Sequence, residues 1–300
     1  MTMFNFITVA QILWTSLATS SYYVMFAVAF ALVLKVNGVF NFAQAGLMTI
    51  AFYGAHGFVA GLGAGGMVAF VAALGATMGA AWVLETFGFA LLRRNNASPM
   101  FVFIFTIVAS EFIAYIAMLL FGTWPKTIFP QLFWPVTLVG GIAISAWDLP
   151  AMASSLGMLL SLSLFLRFTR WGQFIVAVSD NPSLAELYGI DRRSVYMLTM
   201  LIAAMFITVG MFLYGSRAQV QPLTSLELML FAALATILGG IGRIGGAALA
   251  AVLLGIVQNS SILVIPSEWQ GFLLYVFLFV TIIFFPRGIR LPPRIGKVAR

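Results

Sequence analysis

Apolar residues run through this chain in long blocks, broken at intervals by charge, Pro or Gly, and show neither the strict alternation of a half-buried strand nor a polar helix face. Nine blocks are predicted as membrane-spanning helices: 10–34, 42–63, 66–92, 99–121, 149–168, 194–216, 228–242, 246–264 and 269–286. Most approach the ~20 residues that cross a hydrocarbon core of about 30 Å at 1.5 Å per residue. The block at 228–242 rises only about 22 Å, so a tilted, re-entrant or broken helix is expected there. Between the fourth and fifth blocks, 122–148 is rich in Pro and Trp and is predicted to lie at the membrane surface, where indole rings favour the headgroup level.

Composition narrows the class. The chain has 300 residues, 62% hydrophobic and only 8% charged, whereas a soluble domain carries about 25% charged residues to cover itself. A soluble enzyme, a disordered chain and a disulfide scaffold are excluded. The fold expected is all-α, a polytopic integral membrane bundle of about 8–10 transmembrane helices forming one domain over 1–300. The opening MTMFNFITVA lacks a basic leader region, so the first block is read as a retained span.

The net charge of +7 acquires a meaning once it is placed on the spans. Thirteen basic residues fall on one side: Lys35, Arg93, Arg94, Arg167, Arg170, Arg192, Arg193, Arg243 and the tail from Arg287 to Arg300; Lys126 and Arg217 fall on the other. Basic loops face the cytoplasm, which puts the C-terminus inside and, with nine spans, the N-terminus outside. The charge therefore reports topology and anionic lipid and gives no reason to expect nucleic acid. With no Cys and one His, neither a disulfide nor a metal site is expected. No nucleophile–base constellation has recognisable spacing, so the chain is expected not to be an enzyme. No G-x-x-x-x-G-K-[ST] occurs, so any ATP must be hydrolysed elsewhere.

Two kinds of segment carry candidate chemistry. Clusters of small residues, Gly61 to Gly66, Gly75-x-x-x-Gly79 and Gly239 to Gly246, let helices approach closely; plain packing is expected for Gly75 and Gly79. The last cluster has five Gly in eight residues, which predicts a break or re-entrant turn. Asn37, Asn41, Phe42, Gln44 and Gly46 open a span whose first N–H groups lack intrahelical partners, and a broken helix start offers such donors to a carboxylate; tying helices together is the competing role. Segment 166–191 carries Asn181-Pro182, a Ser183-x-x-Glu186 capping box and Gly189, which predict a helix of about seven residues outside the bilayer. Its Leu184, Ala185, Leu187 and Tyr188 suit either a groove on a partner or the lipid surface. Of the acidic residues in the spans, Glu85 is expected to be structural because Arg93 and Arg94 are about two turns away. Glu111 is mid-span, with a role that the sequence leaves open. His56 is expected to be a satisfied intramembrane histidine.

Four motifs in order resemble the permease family of branched-chain amino acid-type ABC importers, which includes urea, amide and related solute permeases. Leu166, Arg167, Thr169, Gly172, Ala177 and Val178, followed by Ala185, Gly189, Ile190 and Asp191, are similar to the family's cytoplasmic coupling loop. NGVFNFAQAGLM at 37–48 is similar to its G-V-x-N-F-A-x-G segment, LGGIGRIGGA at 238–247 to a late turn, and FFPRGI at 284–289 to its closing motif. The resemblance implies a multi-pass permease subunit of the bacterial inner membrane, moving a small polar solute delivered by a periplasmic binding protein. It implies two ABC ATPase subunits holding ATP and magnesium, no cofactor on this chain, and a second related permease as heterodimer partner. It assigns ATPase coupling within loop 169–193 to Asp180, Asn181, Pro182, Leu184, Ala185, Glu186, Leu187 and Gly189. It assigns the substrate pathway to Asn37, Asn41, Phe42, Gln44, Gly46, Gly239, Gly240 and Gly242, with 122–148 external. The family segment usually has His where Gln44 stands, and Ser and Pro where Arg243 and Gly245 stand, so amides, urea and aromatic or other carboxylates stay open beside branched-chain amino acids. The alternative reading is an ion- or proton-coupled carrier that uses Glu111.

Overall fold

A computed structural model describes residues 6–129 and 137–261 continuously and scattered positions between 263 and 284. The last predicted span, the motif at 284–289 and the basic tail lie largely outside the described residues. Seven described helices are long and apolar enough to cross a membrane. In chain order the elements are α1 Phe6–Asn37, α2 Ala43–Leu62, α3 Gly66–Val83, a π-helical turn Leu84–Phe89, α4 Ala90–Arg94 and α5 Pro99–Phe121. They continue with strands β1 Thr137–Val139 and β2 Ile142–Ile144, then α6 Asp148–Phe168, α7 Arg170–Asp180, α8 Pro182–Leu187, α9 Arg192–Arg217, α10 Thr224–Leu238 and α11 Ile244–Ser261.

α1 is the axis of the bundle. It is apolar all round, and such a helix folds only where every side is covered; most of it is buried, whereas most of α3 and α6 is not. It packs against α6, α7, α9, α10 and α11. α2 lies against α3, α5, α9 and α10. α3, α5 and α6 turn large apolar faces outward, including Val71, Phe112, Leu119 and Leu156.

Charge and turn geometry distinguish the two ends. At the basic end, α4 stops at Arg94, α6 stops just past Arg167, and α9 starts at Arg192. At the opposite end, β1 and β2 form an antiparallel hairpin with Val139 paired to Ile142. Gly140 and Gly141 turn it at φ +61° and +86°, the positive dihedrals that a two-residue hairpin loop requires. The side chain of Gln11 completes the hairpin's edge, donating to Ala143 O (3.2 Å) and accepting from Ala143 N (2.6 Å). This hairpin lies inside the stretch expected to be merely interfacial. V-G-G-I was its signal, hidden because each strand has only three residues.

Three expectations are corrected. Gly75 and Gly79 sit on the outward face of α3 with open space where a Cβ would stand, so they make no close helix contact among the described residues. The close approaches occur elsewhere: a Cβ at Gly46 would meet Ile113 at 2.7 Å, and one at Gly210 would meet Phe26 at 2.6 Å. The short seventh block begins four residues early, at Thr224. The third block is not one α-helix, since its last third passes through the π-turn.

Candidate functional site

Both predicted helix breaks exist. α1 stops at Asn37, Gly38 takes φ +69°, and α2 begins at Ala43. Asn41 makes the restart: buried, it accepts from Ala43 N (3.1 Å) and donates to Met200 Sδ in α9 (3.4 Å). The N–H groups of Gln44 and Ala45 are taken by Asn41 O and Phe42 O. The start of α2 is therefore internally satisfied, and the free donors expected there are used by the turn itself. Phe42 packs its ring against Phe30 and Phe103. Asn37 is half-buried, and its Oδ1 has no hydrogen-bond partner among the described residues. Gln44 is fully buried, and among the described residues both polar atoms of its amide also lack partners. Burying an unpaired amide costs about 1–3 kcal/mol in protein interiors, so Gln44, with donor and acceptor both unused, has more capacity to spare than Asn37, where one acceptor is unused.

The second break joins α10 to α11 through Gly239–Arg243. Gly240 and Gly242 take φ +92° and +86°. Gly239 lies directly against the backbone of Gly246, and no side chain fits at either position. This is why the cluster is denser in Gly than packing alone needs. The two breaks share a depth. Thr236, one turn before the break, donates to Ala27 O of α1 (3.3 Å), while Phe40 and Phe42 contact Phe30, one turn along the same helix.

The basic end carries the second candidate site, a corner built on Thr169. Its hydroxyl donates to Phe165 O (2.7 Å) and accepts from Gly172 N (3.0 Å), ending α6 and starting α7 in a single residue. Gly172 lies so close to Phe165 O and Leu166 that a Cβ has no room. The resemblance motif L-R-x-T-x-x-G is thus a capped, close-packed turn. α7 then buries Gly172, Ile175 and Val178 and exposes Trp171, Gln173 and Asp180. It was not foreseen from the sequence, because only Thr169 separates it from α6.

α8 follows at once. Asn181 caps it by accepting from Leu184 N (3.0 Å), with Pro182 in its first turn and Gly189 at φ +81° after it. The cap is Asn181, and the capping box expected at Ser183 and Glu186 is not made: Glu186 instead pairs with Arg192 at 2.6 Å. Leu187 and Tyr188 are 84% and 80% exposed and Leu184 is half-exposed, whereas Ala185 is buried. Ala185 therefore faces this chain and only the three larger side chains face out. Asp191 caps α9. The Ser194 hydroxyl and the backbone N–H groups of Arg193 and Ser194 hold its carboxyl below the usual range.

The remaining candidates are scattered. Glu85, fully buried on the π-turn, is ion-paired to Arg93, whose guanidinium lies 4.6 Å from the centre of the Tyr196 ring. His56 Nδ1 meets Thr127 O at 2.6 Å, and its ring stacks on Phe52. Glu111 is half-buried on α5, and among the described residues makes no ion pair or hydrogen bond. One network at the hairpin end was missed from the sequence. Asp148, fully buried, accepts from Trp14 Nε1 (2.9 Å) and Ser145 N (3.1 Å) and pairs with Arg217 (3.2 Å). Among the described residues no group of three His, Cys, Asp or Glu side chains is placed to hold a metal.

Comparison with known proteins fits this arrangement. The chain is 26% identical over 308 residues to LivH of Escherichia coli K12, a high-affinity branched-chain amino acid transport system permease protein; the match covers 98% of this chain and 99% of LivH. It is 26% identical over 301 residues to the permease BraD of Pseudomonas aeruginosa, covering 96% and 97% of the two chains. In three dimensions it is similar to a chain of PsaBC from Streptococcus pneumoniae, solved in complex with a Fab, with a TM-score of 0.53, 14% identity and 91% of each chain covered. That likeness concerns the fold. The model of the family described as the branched-chain amino acid transport system permease component matches residues 12–282, and this multi-pass membrane protein belongs to that family.

Proposed function

We propose that the chain acts as a single permease domain of a binding-protein-dependent ABC importer in a bacterial inner membrane. It moves a small polar solute inward, branched-chain amino acids being the first candidates, with ATP and magnesium on two separate ATPase subunits. A second, related permease completes the translocation unit, and a periplasmic binding protein delivers the solute at the hairpin end. The names of the relatives support the solute class, and the family supports the partners.

The observation that carries the reading is α8. A six-residue helix is marginal alone. Here it is capped, pinned to the bundle through Ala185, and presents Leu187 and Tyr188 outward between α6 and α9. An outward apolar pair on a braced turn suits a groove on a cytoplasmic ATPase. Because α8 continues from α6 and α7 and leads directly into α9, displacement of α8 is transmitted to two membrane-spanning helices. Both breaks beside α1 then serve the pathway, with the Gln44 amide available to a solute or to a rearranged neighbour.

The test is Leu187→Asp with Tyr188→Asp, reconstituted with the ATPases and binding protein. Both side chains are exposed, so the expected result is normal insertion, loss of solute uptake and loss of uptake-coupled ATP hydrolysis. Wild-type uptake by the double variant would overturn the role of α8. Glu111→Gln is expected to leave uptake intact, and an uptake loss cured by restoring the carboxylate would favour the ion-coupled reading instead.

A further inference from the structure

We propose that the basic end holds a binding site for one anionic phospholipid, formed by two adjoining cavities that share Thr86 and Arg193. The site makes no use of the transport chemistry. It rests only on the basic end facing the cytoplasmic leaflet.

The first cavity, about 450 Å³, is apolar. Trp82 of α3, Phe165 of α6 and Met197, Leu198 and Leu201 of α9 line it. From Arg193 to Leu201 it follows α9 for eight residues, about 12 Å along the helix towards the bilayer interior. Trp82 and Trp171 stand half-exposed at its wall, Trp171 beside Arg170 where indoles favour the headgroup level and Trp82 deeper along α3.

The second cavity, about 820 Å³, is polar and is lined by Arg93, Arg94, Arg192 and Arg193, with Glu186 and Asp191 as its acids. Its charges do not cancel. Arg93 is held by Glu85 and Arg192 by Glu186. The Asp191 carboxylate is occupied by the first N–H groups of α9 and the Ser194 hydroxyl. Arg94 and Arg193 have no carboxylate within 4.0 Å among the described residues. Both thus stand outside any described ion pair, although Arg193 also feels the Glu85 and Asp191 carboxylates. At the mouth of an apolar slot they match a phosphodiester joined to an acyl chain, and a basic pocket between helices on the cytoplasmic side is a recurrent setting for anionic headgroups. A soluble anion would use only the polar half. An ATPase seated on Leu187 and Tyr188 would not account for an apolar cavity running along α9. A bound lipid would tie the end of α4 to the α8–α9 junction, bracing the turn on which coupling is proposed to act.

Native mass spectrometry of the full chain in neutral detergent tests the site, with dioleoylphosphatidylglycerol and dioleoylphosphatidylcholine added as probes. Wild type is expected to retain the glycerol lipid in preference to the choline lipid. Arg94→Gln, at an exposed helix end, should lower that preference about fivefold, and Arg94→Gln with Arg193→Gln on the order of tenfold or more. Leu201→Trp keeps the charges but fills the slot, and should weaken retention of both lipids. Equal retention of the two lipids by wild type overturns the proposal. So does an unchanged preference in Arg94→Gln, or full displacement of the lipid by glycerol 3-phosphate, which would mean a headgroup-sized anion site alone. The readout involves no ATPase, so it can fail while the transport reading stands, and the reverse.

Discussion

A carboxylate buried to 1% exposure in a helix that traverses a bilayer needs its counter-charge, and Glu85 has Arg93. Eight residues would separate the two by more than two turns of α-helix, and the π-turn at Leu84–Phe89 alters that register. Arg93→Gln leaves Glu85 buried without its partner and is expected to cost about 3 kcal/mol, the lower part of the range for breaking a buried pair. Replacing both, Glu85→Gln with Arg93→Gln, should recover part of that loss in thermal unfolding of the purified protein. If the double variant is less stable than Arg93→Gln, the pairing argument is wrong. Glycine gives a second residue-scale contrast. Gly172→Ala places a methyl on Phe165 O and should destabilise by about 1–3 kcal/mol, whereas Gly75→Ala points into open space and should stay within about 0.5 kcal/mol. The sequence suggested packing at Gly75 from its G-x-x-x-G spacing, yet the tight contacts fall elsewhere, with Gly172, Gly239 and Gly246 pressed directly against backbone. Spacing shows where a close approach is possible, and only the path of the second backbone shows where it happens.

At the scale of elements, caps do the organising at the basic end. Thr169, Asn181 and Asp191 each satisfy orphan N–H groups, so three helix starts fit within about two dozen residues. Asn181→Ala is expected to cost the short α8 about 1 kcal/mol. Amide exchange across 182–188 should rise several-fold while the melting temperature of the bundle stays put; a matching fall in melting temperature would mean that α8 is part of the cooperative core. The Asp191 cap has a defined pH sense. Its carboxyl is held below the ordinary value of 3.8, so its contribution is fully present above that value and is lost as pH falls through the lowered one. Amide protection at the start of α9, measured relative to the intrinsic exchange rate at each pH, should thus be flat from neutral pH to about 5. α8, both breaks and most of the described span boundaries were legible because Pro, Gly and Asn change the backbone visibly. α7 was not, since Thr169 alone separates it from α6 and the corner is made by a single hydroxyl. The π-turn left no signal of its own, and the hairpin had too few residues per strand to show alternation.

For the whole molecule, the decisive quantity is which residues lie on the same side of the membrane. The 13-to-2 division of basic residues includes five in the tail, outside the described part. The described part carries the argument without them: Arg93, Arg94, Arg192 and Arg193 line one cavity, while Arg217 pairs with Asp148 beside the hairpin at the other end. One helix, α6, separates the hairpin from α7 and α8, and its 21 residues rise about 31 Å, a full hydrocarbon core. The hairpin tip and the outer face of α8 must therefore face opposite compartments. The absence of cysteine makes this directly measurable, because each introduced thiol is the chain's only one. Leu138→Cys, 75% exposed on β1, should react with a membrane-impermeant maleimide added to intact cells, and Leu187→Cys, 84% exposed on α8, only after the inner membrane is opened. Tyr188→Cys should follow Leu187→Cys and then become protected when the ATPase subunits are added to inverted vesicles. Labelling of Leu187→Cys from outside would invert the bundle, remove the cytoplasmic assignment of α8 and take the coupling role with it. Simultaneous labelling of both positions from outside would mean that α6 does not cross.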